Sequence, residues 1–222
     1  MKYSPYDLIA DEYYDDFHKT GRNFDEASLV VLQNIKDMLP NDGPVLDVGS
    51  GKGRCNEYLD IQSDRIVQLD NSKRMLELEP REECVLRIHN SAEDLPFLNS
   101  EFTVATAFLC DAFLGLNFLS ETFRVLKDGG FFIATNPSFI WASTLRKKIG
   151  IELQSTRFKT KKGTILKAPS VVVSKEQFLE MLVVSGFNKD CIEITEHCLP
   201  RSSQTISQDI QIPADELNIN VY

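Results

Sequence analysis

The stretch Val45-Leu46-Asp47-Val48-Gly49-Ser50-Gly51-Lys52-Gly53 decides the fold. Its first four residues read as a short buried strand that breaks into a glycine-rich turn. Beyond the turn, Arg54 to Leu59 can open a helix. Glycines at alternate positions let the backbone take positive φ and let a ligand come close, because no Cβ stands in the way. A strand that feeds such a loop and then a helix is a unit of an open α/β sheet, with ligand at the strand ends.

Working outward, Asp47 narrows the choice of ligand. An acid just before the loop would repel the pyrophosphate of a dinucleotide. The dinucleotide fingerprint also wants a third glycine where Arg54 stands. S-adenosylmethionine has no phosphate, and its methionine end carries an ammonium and a sulfonium, so an acid suits it. Arg65 to Asp70 reads as a second strand that closes on an acid, 17 residues beyond Gly53. That is the distance expected when a carboxylate meets ribose hydroxyls; the competing role for Asp70 is a helix cap. Asn71 and Ser72 then cap a helix that carries Met75 and Leu76. The Asp-x-Gly-x-Gly-x-Gly stretch resembles the first motif of the class I S-adenosylmethionine-dependent methyltransferases, and Leu69-Asp70-Asn71-Ser72-Lys73-Arg74-Met75-Leu76 resembles their second.

The resemblance extends in order along residues 6–187. Cys84 to Ile88 reads as a third strand, followed by Ser91-Ala92-Glu93-Asp94-Leu95-Pro96-Phe97, similar to the adenine-holding stretch of the type-11 methyltransferase subfamily. The family's aspartate falls at Ser91, so Ser91 or Glu93 is expected to read the adenine, with the Ala92 amide beside them. Glu101 to Leu109 is the fourth strand and delivers Cys110, Asp111 and Phe113 to the ligand edge. A helix at 119–127, a turn at Asp128-Gly129-Gly130 and a fifth strand at 131–135 follow. Upstream, Ser4 and Pro5 start a helix over 4–18 whose Tyr6-Asp7-Leu8-Ile9-Ala10-Asp11-Glu12-Tyr13 resembles the family's lid, with Tyr13 toward the methionine end. A loop from His18 to Asn23 leads to a second helix near 25–39. Residues 138–173 form an insertion, then come a capped helix from Ser174, a sixth strand near 190–197 and a last strand within 203–212. The resemblance implies an α/β fold, a Rossmann-like seven-stranded, mostly parallel sheet flanked by helices, with one reversed edge strand. It makes residues 1–222 a single methyltransferase domain. Its implied cofactor residues are Tyr13, Asp47, Gly49, Ser50, Gly51, Gly53, Asp70, Asn71, Met75, Ser91, Ala92, Glu93 and Leu109.

Methyl transfer from a sulfonium needs alignment in a dry pocket and a general base only when the acceptor arrives protonated. Asp111 is the candidate base by its strand-end position; a helix-capping or loop acid is the competing reading. Net charge is −9, which argues against a general nucleic-acid binder. Residues 146–167 nevertheless hold eight bases and one acid, so this segment carries +7 and the remainder −16. Placed in the insertion, the basic run points to a small anionic acceptor, with Phe113, Trp141 and Lys159 as its contacts. An RNA or protein acceptor using 146–167 and a non-catalytic cofactor-binding module are the alternatives, and a nicotinamide dehydrogenase is disfavoured by Asp47 and Arg54. The five cysteines form no Cys-x-x-Cys pair and read as reduced, buried thiols. No metal site is expected. The N-terminus lacks a basic-then-apolar pattern, and Asp111, Gly115 and Asn117 interrupt the most apolar stretch. A cytoplasmic protein with no membrane partner is the expectation.

Overall fold

The computed structural model describes residues 4–15, 18–78, 86–198 and 220–221. Its centre is β1 (Val45–Val48), every residue of which is buried. β1 pairs in parallel with β2 (Ile66–Asp70), and β2 with β3 (Leu86–His89). On its other side β1 pairs with β4 (Phe102–Phe108), which pairs with β5 (Leu126–Thr135). The order β3-β2-β1-β4-β5 means the chain builds outward from β1 in one direction and then restarts on β1's opposite flank. The crevice between the C-terminal ends of β1 and β4 is therefore the switch point where open parallel sheets hold ligands.

The two faces of β1 explain its apolar run. Leu46 and Val48 pack into one cluster, with Phe118 and Leu119 of one helix and Phe178 and Leu182 of another. Val45 packs into a second, with Leu32, Tyr58 and Leu59. Side chains alternate across a strand, so a strand covered on both faces must be apolar throughout. Asp47 is the exception, and it is 1% exposed.

Several boundaries differ from the sequence expectation. The helix expected over 4–18 is a 3-10 turn (Pro5–Leu8) followed by the single turn α1 (Ala10–Tyr13). Tertiary bonds override its helical periodicity: Ser4 donates to Asn71 Oδ1 instead of capping, and Asp7 accepts from Ser72 Oγ at 2.6 Å. The loop expected from His18 is helical, since α2 runs Lys19–Ile35. Two short helices follow, α3 (Cys55–Leu59) and α4 (Lys73–Leu76), the latter capped by Ser72. α5 spans Leu116–Val125. The turn at 128–130 lies within β5 as an irregularity, where pairing jumps from Phe102 opposite Leu126 to Val104 opposite Phe131.

The insertion has its own architecture: α6 (Phe139–Ile149) and an antiparallel hairpin of β6 (Ser155–Lys159) and β7 (Ile165–Pro169). α7 (Lys175–Val184) starts at a complete capping box of Ser174 and Gln177. The main sheet has five strands among the described residues, all parallel, in place of the seven expected. Where the sixth was expected, near 190–197, stand a 3-10 turn (Lys189–Cys191) and irregular chain, and among the described residues 190–196 pair with no strand of the main sheet. Only β8 (His197–Cys198) pairs, with β9 (Asn220–Val221), as a separate antiparallel piece. The strand expected within 203–212 lies outside the described residues. No helix among the described residues is long and apolar enough to cross a membrane.

Candidate active site

The glycine loop is held open by the neighbouring strand. Gly49 and Ser50 both donate their backbone N–H to Leu69 O, at 2.8 and 3.1 Å. Gly51 donates to Asp70 Oδ2 at 2.9 Å, and Ser72 donates to Asp70 Oδ1 at 2.7 Å. Asp70 thus ties the loop after β1 to the start of α4, and it is buried. Burial raises its pKa, and the two amide bonds oppose that rise. Gly51 has φ +55°, and a Cβ there would overlap the Tyr14 hydroxyl.

Asp47 lies below the loop with Oδ1 accepting from Thr106 Oγ1 at 2.8 Å. Its Oδ2 is buried without a hydrogen-bond partner, as is Ser50 Oγ. Desolvation pushes the Asp47 carboxyl up to about 7, with the Thr106 bond opposing and the nearby Asp70 charge adding to the rise. A buried acid with one unspent oxygen accommodates a positive ligand group well.

One cavity of about 660 Å³ spans the switch point. It is lined by Tyr13, Asp47, Gly49, Ser50, Gly51, Asp70, Asn71, Met75, Ser91, Ala92, Glu93 and Leu109, so all the expected cofactor residues but Gly53 meet there. Gly53 stands behind the loop, where a Cβ would overlap the Gln68 amide, and its glycine serves packing. The expected acceptor contacts Phe113, Trp141 and Lys159 line the same cavity, as does Asp111. Ser91 Oγ accepts from the Glu93 backbone N–H at 3.2 Å, a local turn that leaves the Glu93 carboxylate exposed. Leu109 reaches the cavity in a left-handed conformation, φ +56°, with its N–H donating to Thr135 Oγ1.

Three features escape sequence reasoning. Tyr14, next to the expected Tyr13, is the tyrosine on the loop: its hydroxyl accepts from Lys52 N–H at 3.2 Å. Lys52 Nζ lies 4.6 Å from its ring centroid. Arg54 is ion-paired with Asp25 of α2, and Tyr58 donates to the same carboxylate at 2.5 Å. This locks the loop exit onto α2 and gives Arg54 a purpose beyond its absence of glycine character. Finally, Asp111 accepts from Ser170 Oγ, and Ser170 in turn accepts from Arg146. Burial raises Asp111 to about 6 against the lowering effects of Ser170 and Arg146. Tandem tyrosines were the one available signal for Tyr14; partners from α6 and the end of β7 had none.

The cavity's cover comes from the N-terminal segment and the hairpin of the insertion. Phe158 of β6 meets Tyr6 at 5.8 Å, Tyr13 at 5.6 Å and His18 at 6.3 Å between ring centroids. Lys161 in the hairpin turn donates its N–H to Glu12 and its Nζ to Asp15, at 2.7 and 2.5 Å.

Residues 46–134 match the model of a methyltransferase-domain family. No curated protein matches the sequence. Among solved structures, a SAM-dependent methyltransferase of Thermotoga maritima is 24% identical, with TM-score 0.56, over 83% of this chain and 80% of its own. DhpI in complex with SAH is 19% identical with TM-score 0.60, over 82% and 83% of the two chains. The methyltransferase bound to the Trm112 activator of Haloferax volcanii is 17% identical with TM-score 0.60, over 96% and 85%. These likenesses, all below 25% identity, show the fold, and the family model covers the strands that build the switch point. Asp47, the glycine loop and Asp70 lie inside that span, so residues 46–134 match a methyltransferase domain and the chain has the fold of the S-adenosylmethionine-dependent methyltransferases.

Proposed function

We propose that the protein methylates a small anionic molecule, with the cofactor seated on the glycine loop and the acceptor under the insertion. The observation that carries the cofactor half is the pair of partnerless buried oxygens, Asp47 Oδ2 and Ser50 Oγ, beside a loop that only glycine can form. They fit the ammonium of a methionine end. Asp70 already accepts two amide N–H groups, but each carboxylate oxygen has a second lone pair for a ribose hydroxyl. Ser91, Ala92 and Glu93 would bound the adenine.

S-adenosylmethionine, when bound, supplies a methyl group already activated on a sulfonium. The chain's residues then orient and exclude water. Phe113 and Trp141 wall the acceptor side, while the Tyr6–Tyr13–Phe158 cover keeps the cavity dry. Asp111 would take the proton of the acceptor's nucleophile, its other oxygen steadied by Ser170.

The anionic half is supported by the charges in the insertion, read with their partners. Lys161 and Lys167 are ion-paired with Asp15 and Glu152, so they do not present open charge to a polyanion. Arg146, Arg157 and Lys159 line the cavity. This favours a small acceptor over RNA. Incubating the protein with methyl-labelled cofactor and either a metabolite extract or tRNA tests the choice. Label in the small-molecule fraction is the expected result; label in tRNA alone would transfer the reading to RNA.

A further inference from the structure

Arg146 is the most deeply enclosed cation in the cavity wall. It lies on α6, is 5% exposed, and stands one helical turn from Ala142 and next to Leu145. Around it the wall is apolar: Trp141, Ala142 and Leu145 share one cluster with Phe24, and Ile149 packs against it. An enclosed guanidinium beside an apolar wall is costly unless its charge is used, because desolvation disfavours it. Its described partners use three of the five N–H donors that a guanidinium carries. Nη1 donates to Leu153 O and to Ser170 O, the latter at 3.0 Å, and Nη2 donates to Ser170 Oγ at 2.5 Å.

Among the described residues no acid pairs with it directly. The nearest carboxylate, Asp111, is bridged to Arg146 through the Ser170 hydroxyl, which is itself 1% exposed. Ser170 therefore acts as a spacer: it fixes the guanidinium's plane and takes up one Asp111 oxygen, so the two charged groups stand side by side without spending themselves on each other. A fork with unspent donors in a low-dielectric wall matches a planar oxyanion, and the apolar surface beside it matches a hydrocarbon body.

Resting on the reading of the site given above, we infer that Arg146 is the anchor for the acceptor's oxyanion, and that the acceptor is a small organic acid with an apolar body. Lys161 of the hairpin turn bonds to the cover, and the specificity for the acid resides in this one buried arginine. Arg146 also fixes the strap from Leu153 to Ser170 onto α6, so a purely structural role has to be separated from recognition by the test.

Phenylacetate, phenyl phosphate and the neutral phenylacetamide serve as probes, titrated by calorimetry into the protein saturated with S-adenosylhomocysteine. The saturation step is read first and separately: no binding of S-adenosylhomocysteine defeats the methyltransferase reading, whatever the probes do. The wild type is expected to prefer an acid probe over the amide by about 10- to 100-fold, the range for one or two charge-assisted hydrogen bonds. Which acid binds more tightly assigns carboxylate or phosphate. Arg146→Gln should erase the preference while S-adenosylhomocysteine affinity stays within about threefold of wild type. Should that variant fail to fold, Arg146→Lys keeps a charge without the fork and should cut the preference several-fold. A wild type with no acid preference, including one that binds none of the probes at millimolar concentration, overturns the proposal. So does an acid preference that survives in the folded variants.

Discussion

Two buried acids on adjacent strands line the cavity, and they are held differently. Asp70 ties the loop and faces the cavity at once, because its oxygens accept from Gly51 and Ser72 while the residue lines the cavity. Asp70→Ala should weaken S-adenosylmethionine binding by about 2–4 kcal/mol, two charge-assisted bonds partly recovered by water. The melting temperature should fall as well. Affinity within threefold of wild type, alongside the lower melting temperature, would leave Asp70 a tie and nothing more. Asp47 keeps its proton up to about 7 because burial penalises its charge. Its folded pKa thus lies above the ordinary carboxylate value of about 4. The stability it contributes is present below about pH 4 and is lost as pH rises to about 7, so Asp47→Asn should flatten that part of the ligand-free stability profile. An ammonium arriving at Oδ2 would drive the proton off. Binding near pH 6.5 should therefore release a proton, detected as a buffer-dependent calorimetric enthalpy that Asp47→Asn abolishes. Asp111 is raised to about 6 for the same reason. If it serves as the base, kcat/KM falls below about pH 6, and Asp111→Asn loses both rate and pH dependence, whereas a loop acid would leave the profile unmoved.

At the scale of elements, the cover is a joint between a broken N-terminal helix and the hairpin of the insertion. Its strength lies in the rings around Phe158, since an exposed pair such as Lys161–Asp15 contributes only about 0–1 kcal/mol. Phe158→Ala removes aromatic contacts that contribute about 0.5–1.5 kcal/mol each beyond their burial. It should speed S-adenosylmethionine release about tenfold and expose the N-terminal segment to protease, while Lys161→Gln does little. Equal effects of the two variants would place the latch in the ion pair. This joint was only half legible in the sequence. The Tyr-Asp-x-Ile-Ala-x-x-Tyr pattern pointed to a lid, but helical periodicity could not foresee that Asp7 is drawn to Ser72 or that the tyrosines face a strand about 150 residues on. Likewise the alternating residues near 190–197 look like a strand, yet a strand exists only where an edge accepts it. The glycine loop was readable because its geometry is local: φ, strand end and helix start lie within fifteen residues.

Across the whole molecule, strand order and charge converge on one crevice. The restart of the chain at β4 puts Leu109 to Phe113 opposite the glycine loop, which is why residues distant in sequence line one cavity. The acidic body and basic insertion meet there too, though the basic run had looked in sequence like one continuous patch. Folding divides it: Lys161 pairs with the cover, Lys167 pairs with Glu152, Arg146 is sealed in the wall, Arg157 and Lys159 line the cavity, and Lys147, Lys148 and Lys162 are exposed. Partners of that kind are set by tertiary contact, so the sequence named Phe113, Trp141 and Lys159 for the cavity they line but not the bonds that hold Arg146 and Lys161. This crevice should accept a phosphate-free sulfonium cofactor on an acidic strand end. Titrating the ligand-free protein with S-adenosylmethionine, S-adenosylhomocysteine and NAD by calorimetry tests it most directly. One site is expected for the first two, lost in Gly51→Val, with negligible heat from NAD; NAD binding without S-adenosylmethionine binding would overturn the assignment of the crevice.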